Sequence, residues 1–575
     1  MGYGPTMRRE WKILQPDPAL VQKISNHLNC HLITAKILAN RKMGSASQAL
    51  EFFQPSLDIL PSPMLFNGMA PAVQRIQTAL QRQERILVFG DYDADGVTAT
   101  ALLQGFLKQA GADVVTHIPH RMDEGYGLQP KHINQIAAPQ QVRLIITVDC
   151  GSSSSDAVEA AKRFGIDVII TDHHNIDEVP AAQAVINPKL MDEPHELTGL
   201  AGVGVAFYLA IALRMGLRQI GWWQTRKEPN LKALSDLVAL GTIADMAPLT
   251  GVNRILTKTG LSQLNSGARP GIEALRSACN ISTGGIGSED IAFRIAPRIN
   301  AAGRMAHARV ALDLLNAPTL EAAKELAETL NQFNQRRQEI EQQIFDQIVQ
   351  RVESRNDLLA RKTLLLADEK WHQGILGIVA SRLASRYHRP VVLVAIQDGI
   401  GKGSARSIPE LDLFAALCQC GDLLDKFGGH RLAAGLTVRA ERIRALQLAF
   451  EEAVAQIAPD NHLSPKLEID SEIQFDQISP RLLDELELLE PFGTENPAPV
   501  FFAKDVHVTS AAIVGHRHRR MSLCQSQTNS PPMDAIHFNL PKDAPKGDSF
   551  EQLAFRLQWN RFKGGKRIQL VVEGV

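Results

Sequence analysis

The sequence predicts an α/β protein: a mostly parallel-sheet domain, a long bridging helix, a second, smaller α/β domain and a β-rich tail. Three observations carry this. Between about residues 85 and 187, short unbroken apolar runs alternate with amphipathic stretches, as expected of strands covered on both faces by crossover helices. From Thr319 to Ser354 a helical period runs on with few breakers. After about residue 460, short strand-like pieces alternate with loops.

Taken in order, residues 1–75 read as short helices separated by Pro-rich breaks such as QPSLDILPSPM. RILVF (Arg85–Phe89) is a predicted strand and GVTATALLQGFLKQAG (Gly96–Gly111) a helix. DVVTHI, RLIITV (Arg143–Val148), DVIIT (Asp167–Thr171) and AVIN are further strands, with SDAVEAAKRFG as a helix among them. The serines Ser152–Ser155 precede that helix and suit an N-cap. From about 198 to 280 the pattern is helical. TLLLA, GILGIVASRLASRY and PVVLVAI (Pro390–Ile396) make the second α/β unit. The resulting segments are 1–75 (helical), 76–315 (parallel sheet), 316–358 (bridging helix), 359–458 (second α/β) and 459–575 (β-rich).

The chain has 575 residues with 61 Lys+Arg against 62 Asp+Glu, so any surface for nucleic acid must be local. Six scattered cysteines with no CxxC pair signal neither a zinc site nor a disulfide framework, but free thiols in a reducing cytosol. The N-terminus lacks an apolar signal core, and the longest apolar runs are too short to cross a bilayer. The expected location is cytoplasmic.

The chemistry concentrates at strand ends. VFGDYDADGVTAT (Val88–Thr100) sets Asp91, Asp93 and Asp95 at alternate positions directly after an apolar run. Carboxylates this close raise one another's pKa, so they face water or a cation holds them. Asp149 follows a second strand (TVDCG), and Asp172, His173 and His174 follow a third (TDHH). Asp245 ends an apolar segment (GTIADMAPL). A single Asp after a strand is ordinarily a loop residue or a helix cap. Three acidic strand ends on the edge where parallel sheets carry their sites point instead to a metal centre. Oxygen donors with one or two imidazoles suit Mn2+ or Mg2+, and a pair of ions would polarise a phosphoryl group and generate hydroxide near neutral pH. Such a pair needs a bridging carboxylate, for which Asp149 is the candidate. An EF-hand is excluded: its bidentate acid would fall at Leu102, and the flanks read strand then helix.

With DYDADG, VDCG, TDHH and GTIADMAPL in this order, the chain resembles the DHH phosphoesterase superfamily. GLAGVGVAF, RIAPRINAAGRM, WHQGILGIVASRL, GKGSARS, KFGGHRLAAG and LEPFGTENPAPVF make it similar to the RecJ family of single-strand-specific 5′-to-3′ DNA exonucleases, over about residues 65–505. The resemblance implies a DHH catalytic domain at 76–315, a DHH-associated substrate-binding domain at 359–458 and an OB-like nucleic-acid-binding domain at 459–575. It implies a catalytic core of Asp91, Asp93, Asp95, Asp149, Asp172, His173, His174 and Asp245, all but His174 being metal ligands. Pyrophosphatase relatives carry a His four residues before the Asp that matches Asp93; Phe89 stands there in this chain, which argues against that branch.

The resemblance further implies substrate contacts from Arg121, Arg304, Ser404, Arg406, Gly428, Gly429 and His430, with Arg121, Ser404 and Arg406 near the 5′ end. Taken alone, these are solvated arginines and structural turns. Paired glycines also suit close approach of backbone to phosphate, and Ser404 with Arg406 offers a hydroxyl and a guanidinium fork. In the tail, GHRHRRMSL (Gly515–Leu523) with Phe538, Trp559 and Phe562 could form a basic, stacking groove for single strands, although these aromatics equally suit a core.

The expected function is therefore a processive two-metal exonuclease that releases 5′-mononucleotides in DNA repair and recombination, with duplex excluded by a narrow passage. Alternatives are a phosphodiesterase for short oligonucleotides or cyclic dinucleotides and a non-catalytic strand-binding scaffold. The bridging helix and tail disfavour the first, and eight intact core positions disfavour the second. A helicase and a single-strand-binding protein are partners implied by the resemblance alone.

Overall fold

The computed structural model describes residues 9–575 apart from 192–194, 268, 282–284, 459–463, 516, 527, 529, 541–546 and 562–564. It has two compact units. One comprises Asp17–Asn334 with Asp484–Ala498; the other comprises the residues up to Pro16, Gln335–Leu483 and Pro499–Val575.

The first unit is built on β1 (Ile86–Gly90), β2 (Val114–His117), β3 (Leu144–Val148), β4 (Asp167–Thr171) and β5 (Ala184–Ile186). All pairings are parallel and the order is β2-β1-β3-β4-β5. The unbroken apolar runs follow from burial on both faces. Ile86, Val88, Leu144, Ile146 and Ile169 pack into one core with the helices Ala94–Gln109, Gly202–Gln219 and Ser235–Ala244. Leu87, Phe89, Ile145 and Ile170 pack into a second core with the helix Ser155–Arg163. The chain reverses its direction of travel across the sheet between β1 and β3, and a crevice opens at the carboxyl ends there.

Local chemistry shifts some expected boundaries. The helix after β1 begins at Ala94 because the Asp93 side chain accepts the amides of Asp95 and Gly96 and caps it. The serine run does not cap its helix: Ser154 makes no side-chain cap bond, and Ser152 Oγ accepts Asn187 Nδ2 instead. The long periodic stretch is one helix, Leu320–Glu353.

The second unit holds a mixed sheet of β6 (Leu364–Asp368), β7 (Val391–Gln397), β8 (Ile400–Arg406), β9 (Lys426–His430) and β10 (Ala433–Arg439). Its order is β9-β10-β8-β7-β6, with only β6–β7 parallel. The segment GGHRLAAG is thus two strands joined at Arg431–Leu432, rather than a turn against a helix. β7 and β8 join through Asp398-Gly399, both at positive φ, the backbone a two-residue hairpin requires.

The tail forms β11 (Phe501–Val514), β12 (His518–Gln525), β13 (Met533–His537), β14 (Ser549–Asn560) and β15 (Arg567–Gly574). They close as β11-β12-β13-β15-β14-β11, parallel only at β13–β15, the arrangement of an OB barrel. The N-terminal segment contains one unexpected strand. Glu10–Ile13 pairs in parallel with Lys466–Ile469, a partner no local pattern could announce. Among the described residues, no helix is long and apolar enough to cross a membrane.

Candidate metal centre

The acids predicted from separate strand ends converge at the β1/β3 reversal point. Ligand atoms of Asp91, Asp93 and Asp149 lie within 4.8 Å of one another; so do those of Asp95, His173 and Asp245, and those of Asp149, His173 and His174. Asp149 and His173 each belong to two groups, and of the two only the carboxylate, with two oxygens, suits a shared ligand. His173 Nε2 stands 3.1 Å from Asp149 Oδ1, 3.8 Å from Asp245 Oδ2 and 4.0 Å from Asp95 Oδ2.

Backbone and glycines hold this set. Asp95 accepts the amides of Gly202 (2.7 Å) and Val203 (2.9 Å) at the start of a helix, where the N–H groups have no intrahelical partner. A Cβ on Gly202 would collide with the Asp149 carboxylate, and one on Gly241 would meet Asp95 Oδ1 at 2.7 Å. Asp245 caps the C-terminus of the helix Ser235–Ala244, so it enters from a helix end rather than from a strand. Asn300 Oδ1 accepts the Ala94 amide beside Asp93.

Asp172 belongs to none of the three groups. Its Oδ1 accepts the His173 and His174 amides and His174 Nδ1–H (2.8 Å), while Oδ2 accepts the Ser152 amide (2.9 Å). Burial alone would raise its pKa, but His174 and Ser152 hold it well below the usual carboxylate range. His174 is pushed up to about 9, since Asp172 outweighs the burial. Burial and the His174 charge bring His173 down to about 4.

The other carboxyls move the opposite way. Burial, then neighbouring aspartates, push Asp91 and Asp149 well up, Asp95 to about 7 and Asp245 to about 9. Three buried atoms, Asp91 Oδ1, Asp149 Oδ1 and His173 Nε2, have no hydrogen-bond partner. Neutral imidazole nitrogen beside clustered carboxylate oxygens is a donor set for Mn2+ or Mg2+, whose charge would stabilise these acids in ionised form.

Arg121 and Arg304 border this core. The Arg121 guanidinium lies 4.8 Å from the ring centroid of Tyr92, the residue between Asp91 and Asp93. Arg304 lies in the last turn of the helix Ala296–Met305, whose Gly303 abuts the Tyr92 carbonyl. Residues absent from the motif reading also take part. Tyr126 OH donates to the Asp149 carbonyl at 3.4 Å and lies 3.1 Å from His174 Nδ1. Asn187 donates to the His174 carbonyl (2.9 Å). Only the Gly-rich flanks of Tyr126 hinted at a role.

The remaining predicted residues belong to the second unit, and all but Gly429 share one face of its sheet. Arg406, Ala433 and His430 are in register across β8, β10 and β9, as are Ser404, Gly435 and Gly428 on the adjacent rung. Residues two apart on a strand point the same way, so Ser404, Arg406, Gly428 and His430 lie on a common face of otherwise small residues, while Gly429 alternates. Arg406 Nη1 donates to Ser404 Oγ (3.2 Å), and Gly377 of the helix Leu376–Tyr387 abuts both side chains. In the barrel, Phe538 is exposed against His518, Trp559 packs under Lys566, and Arg519 is buried and donates to the Gly547 carbonyl. Phe562 lies outside the described residues.

Three family models match the chain: the DHH family N-terminal domain over residues 85–242, the DHHA1 domain over 357–456 and the RecJ OB domain over 469–574. The chain is 39% identical to the single-stranded-DNA-specific exonuclease RecJ of Dickeya dadantii, over 88% of this chain and 90% of that protein. It is 38% identical to the same-named protein of Escherichia coli, over 94% and 95%. Among solved structures it is similar to RecJ of Thermus thermophilus in complex with Mn2+, with a TM-score of 0.83 and 31% identity over 98% of this chain and 78% of that one. A Mg2+ complex of the same protein matches with a TM-score of 0.77.

Proposed function

The chain belongs to the RecJ family of single-stranded-DNA-specific exonucleases, and on that premise we propose that it hydrolyses single-stranded DNA from the 5′ end, one nucleotide at a time, at the acid-rich edge of its parallel sheet. The observation that carries this is the convergence of Asp91, Asp93, Asp95, Asp149, His173 and Asp245 on one crevice, with three buried ligand atoms that have no hydrogen-bond partner.

Asp91, Asp93, Asp149, Asp95, His173 and Asp245 would hold two Mn2+ or Mg2+ ions, with Asp149 common to both. When bound, such ions supply Lewis-acid polarisation of the scissile phosphoryl group and a lowered pKa for water. The protein's own contributions are separate. The Gly202 and Val203 amides keep Asp95 aimed at the crevice, and Asp172 orients His174. His173, neutral because it is buried, keeps a lone pair for coordination. Arg121 and Arg304 offer guanidinium forks to backbone phosphates beside Tyr92. In the second unit, the small residues between Arg406 and His430 let a sugar-phosphate backbone approach the sheet, where Ser404 and Arg406 would take the 5′-terminal phosphate. The OB barrel would hold the strand further along through exposed Arg517, Arg520 and Phe538.

Repair and recombination in the cytoplasm, with a helicase to expose strands and a single-strand-binding protein to present them, is the setting this activity fits. The test of the core reading is single-stranded DNA labelled at either end, incubated with Mn2+ or Mg2+ beside a blunt duplex control. Early release of the 5′ label as a mononucleotide, with the duplex spared, is expected. Cleavage confined to dinucleotides would refute it.

A further inference from the structure

The loop from Ile118 to Gly127 reaches the core at two points: Arg121 over Tyr92, and Tyr126 against Asp149 and His174. Between them stands Glu124, whose carboxylate touches neither. It turns back to the strand the loop left. Its Oε2 lies 3.0 Å from His117 Nε2 at the end of β2 and 3.1 Å from His132 Nε2, the second contact off the hydrogen-bond axis. Its Oε1 accepts the His120 amide (2.9 Å), and its carbonyl accepts Gln129 Nε2 and Lys131 Nζ. Both imidazoles pack on Phe89, centroids 5.5 and 5.0 Å away, and Phe89 stands two residues before Asp91. Glu124 is therefore fastened to the strand end that launches the acids. Past it, Gly125 and Gly127 take positive φ to swing Tyr126 toward the crevice.

We infer that Glu124 is a positioning residue for the hydrolysis: held against His117 and His132, it fixes the loop so that Arg121 meets a phosphate of the strand and Tyr126 braces His174. The inference rests on the exonuclease reading above. Nothing in the sequence motif announced the clasp, because His117 and His132 lie fifteen residues apart in the chain, one on a strand and one on a short helix, and meet only in the fold.

The clasp is a carboxylate that accepts the His120 amide, bonds His117 and faces the His132 ring at close range without a hydrogen bond. The Gln129 amide donates to His132 Nδ1 (3.0 Å), which leaves the ring proton on Nε2, on the Glu124 side. Burial holds the His132 pKa down to about 4, so the ring is neutral at pH 7. The same three side chains also meet the distance condition for a metal ion, their ligand atoms lying within 4.8 Å. The Gln129 amide opposes that reading, because an Nε2 that carries a proton cannot ligate.

The test is a double-mutant cycle on the full-length protein with 5′-phosphorylated single-stranded DNA and Mn2+. Glu124→Ala and Arg121→Ala should each raise KM about tenfold with kcat within about threefold, and the double variant should be no worse than Arg121→Ala alone. Glu124→Gln, which keeps an oxygen for the His120 amide, should recover part of the loss and serves for the cycle should Glu124→Ala fold poorly. A merely structural Glu124 would lower Tm and kcat with KM unmoved. That pattern, or multiplicative effects in the double variant, overturns the inference. So does one zinc per chain that survives Asp149→Ala but is lost in Glu124→Ala. A wild type that never cleaves single strands would instead sink the exonuclease reading, before any Glu124 variant is made.

Discussion

At the carboxyl edge of β1 and β3, Asp95 and Asp149 are each 1% exposed and their positions are enforced by helix amides and by glycines with no room for a Cβ. On the sheet of the second unit, His430 and its two neighbouring glycines lie open on an edge strand, and a Cβ on Gly428 or Gly435 would meet nothing. Both surfaces suit phosphate, yet they are built by opposite means. The first concentrates charge where burial makes it expensive, so its acids are raised in pKa and suited to a divalent cation. The second sets half-buried Ser404 and Arg406 and exposed His430 on a flat, small-residue face, where a charged partner adds less to folding stability than it would in a buried core. Changes at the first should therefore act on catalysis and stability together, and changes at the second on binding alone.

The sharpest way to break that contrast is Asp149→Asn. Hydrolysis should fall by at least about 1,000-fold, roughly 4 kcal/mol of barrier, while strand affinity persists. In EDTA the variant should melt at a higher temperature than wild type, because a buried, unpartnered carboxyl is gone. Single-turnover hydrolysis checks the first and calorimetry in EDTA the second; an unchanged melting temperature in EDTA would remove the burial argument.

Next in size is metal itself. At 100 times its dissociation constant, Mn2+ should stabilise wild type by about 2.7 kcal/mol for each ion held, a gain EDTA reverses and Asp149→Asn lacks.

The contrast also has a pH signature. Asp95 has a folded pKa near 7 against 3.8 unfolded, and Asp245 near 9. Their protonated forms favour the folded state below about pH 4, and that advantage is lost as pH rises through 7 and then 9. Melting curves in EDTA should show stability declining across this window, and saturating Mn2+ should flatten the decline. A metal-free protein whose stability rose from pH 5 to 8 would contradict the raised values.

On the second surface, Arg406→Ala should raise KM for a 5′-phosphorylated strand about tenfold, with Arg406→Lys intermediate because Lys lacks the bidentate fork. Steady-state kinetics read this directly. His430→Ala should be the mildest change: a few-fold in KM, with stability within about 0.5 kcal/mol of wild type. Were either to shift Tm by several degrees, the two surfaces would not differ as described.

The parallel sheet was legible because its signals are local and periodic. Apolar runs such as Ile86–Phe89 are long enough to bury two faces, and the acids follow them immediately. The helix after β1 began earlier than expected because capping by Asp93 is a single-residue effect inside a motif already assigned to metal chemistry. The hairpin at Asp398-Gly399 was missed although the dipeptide carries the signal, because the flanking runs read as parts of an α/β unit. The strand Glu10–Ile13 was not legible at all, since its partner lies at the other end of the chain.

By itself, then, the sequence determined which residues carry charge, where each strand ends and therefore which acids stand on the crevice edge, for these depend on neighbours within a few positions. Only the tertiary structure decided which ligand atoms come within coordination distance, that Asp245 arrives from a helix terminus, that Asp172 gives both oxygens to hydrogen bonds, and that Arg406 and His430 share a face. Those outcomes depend on strand order, register and close approach at Gly202 and Gly241, which are set by how the cores pack and leave no periodic trace along the chain.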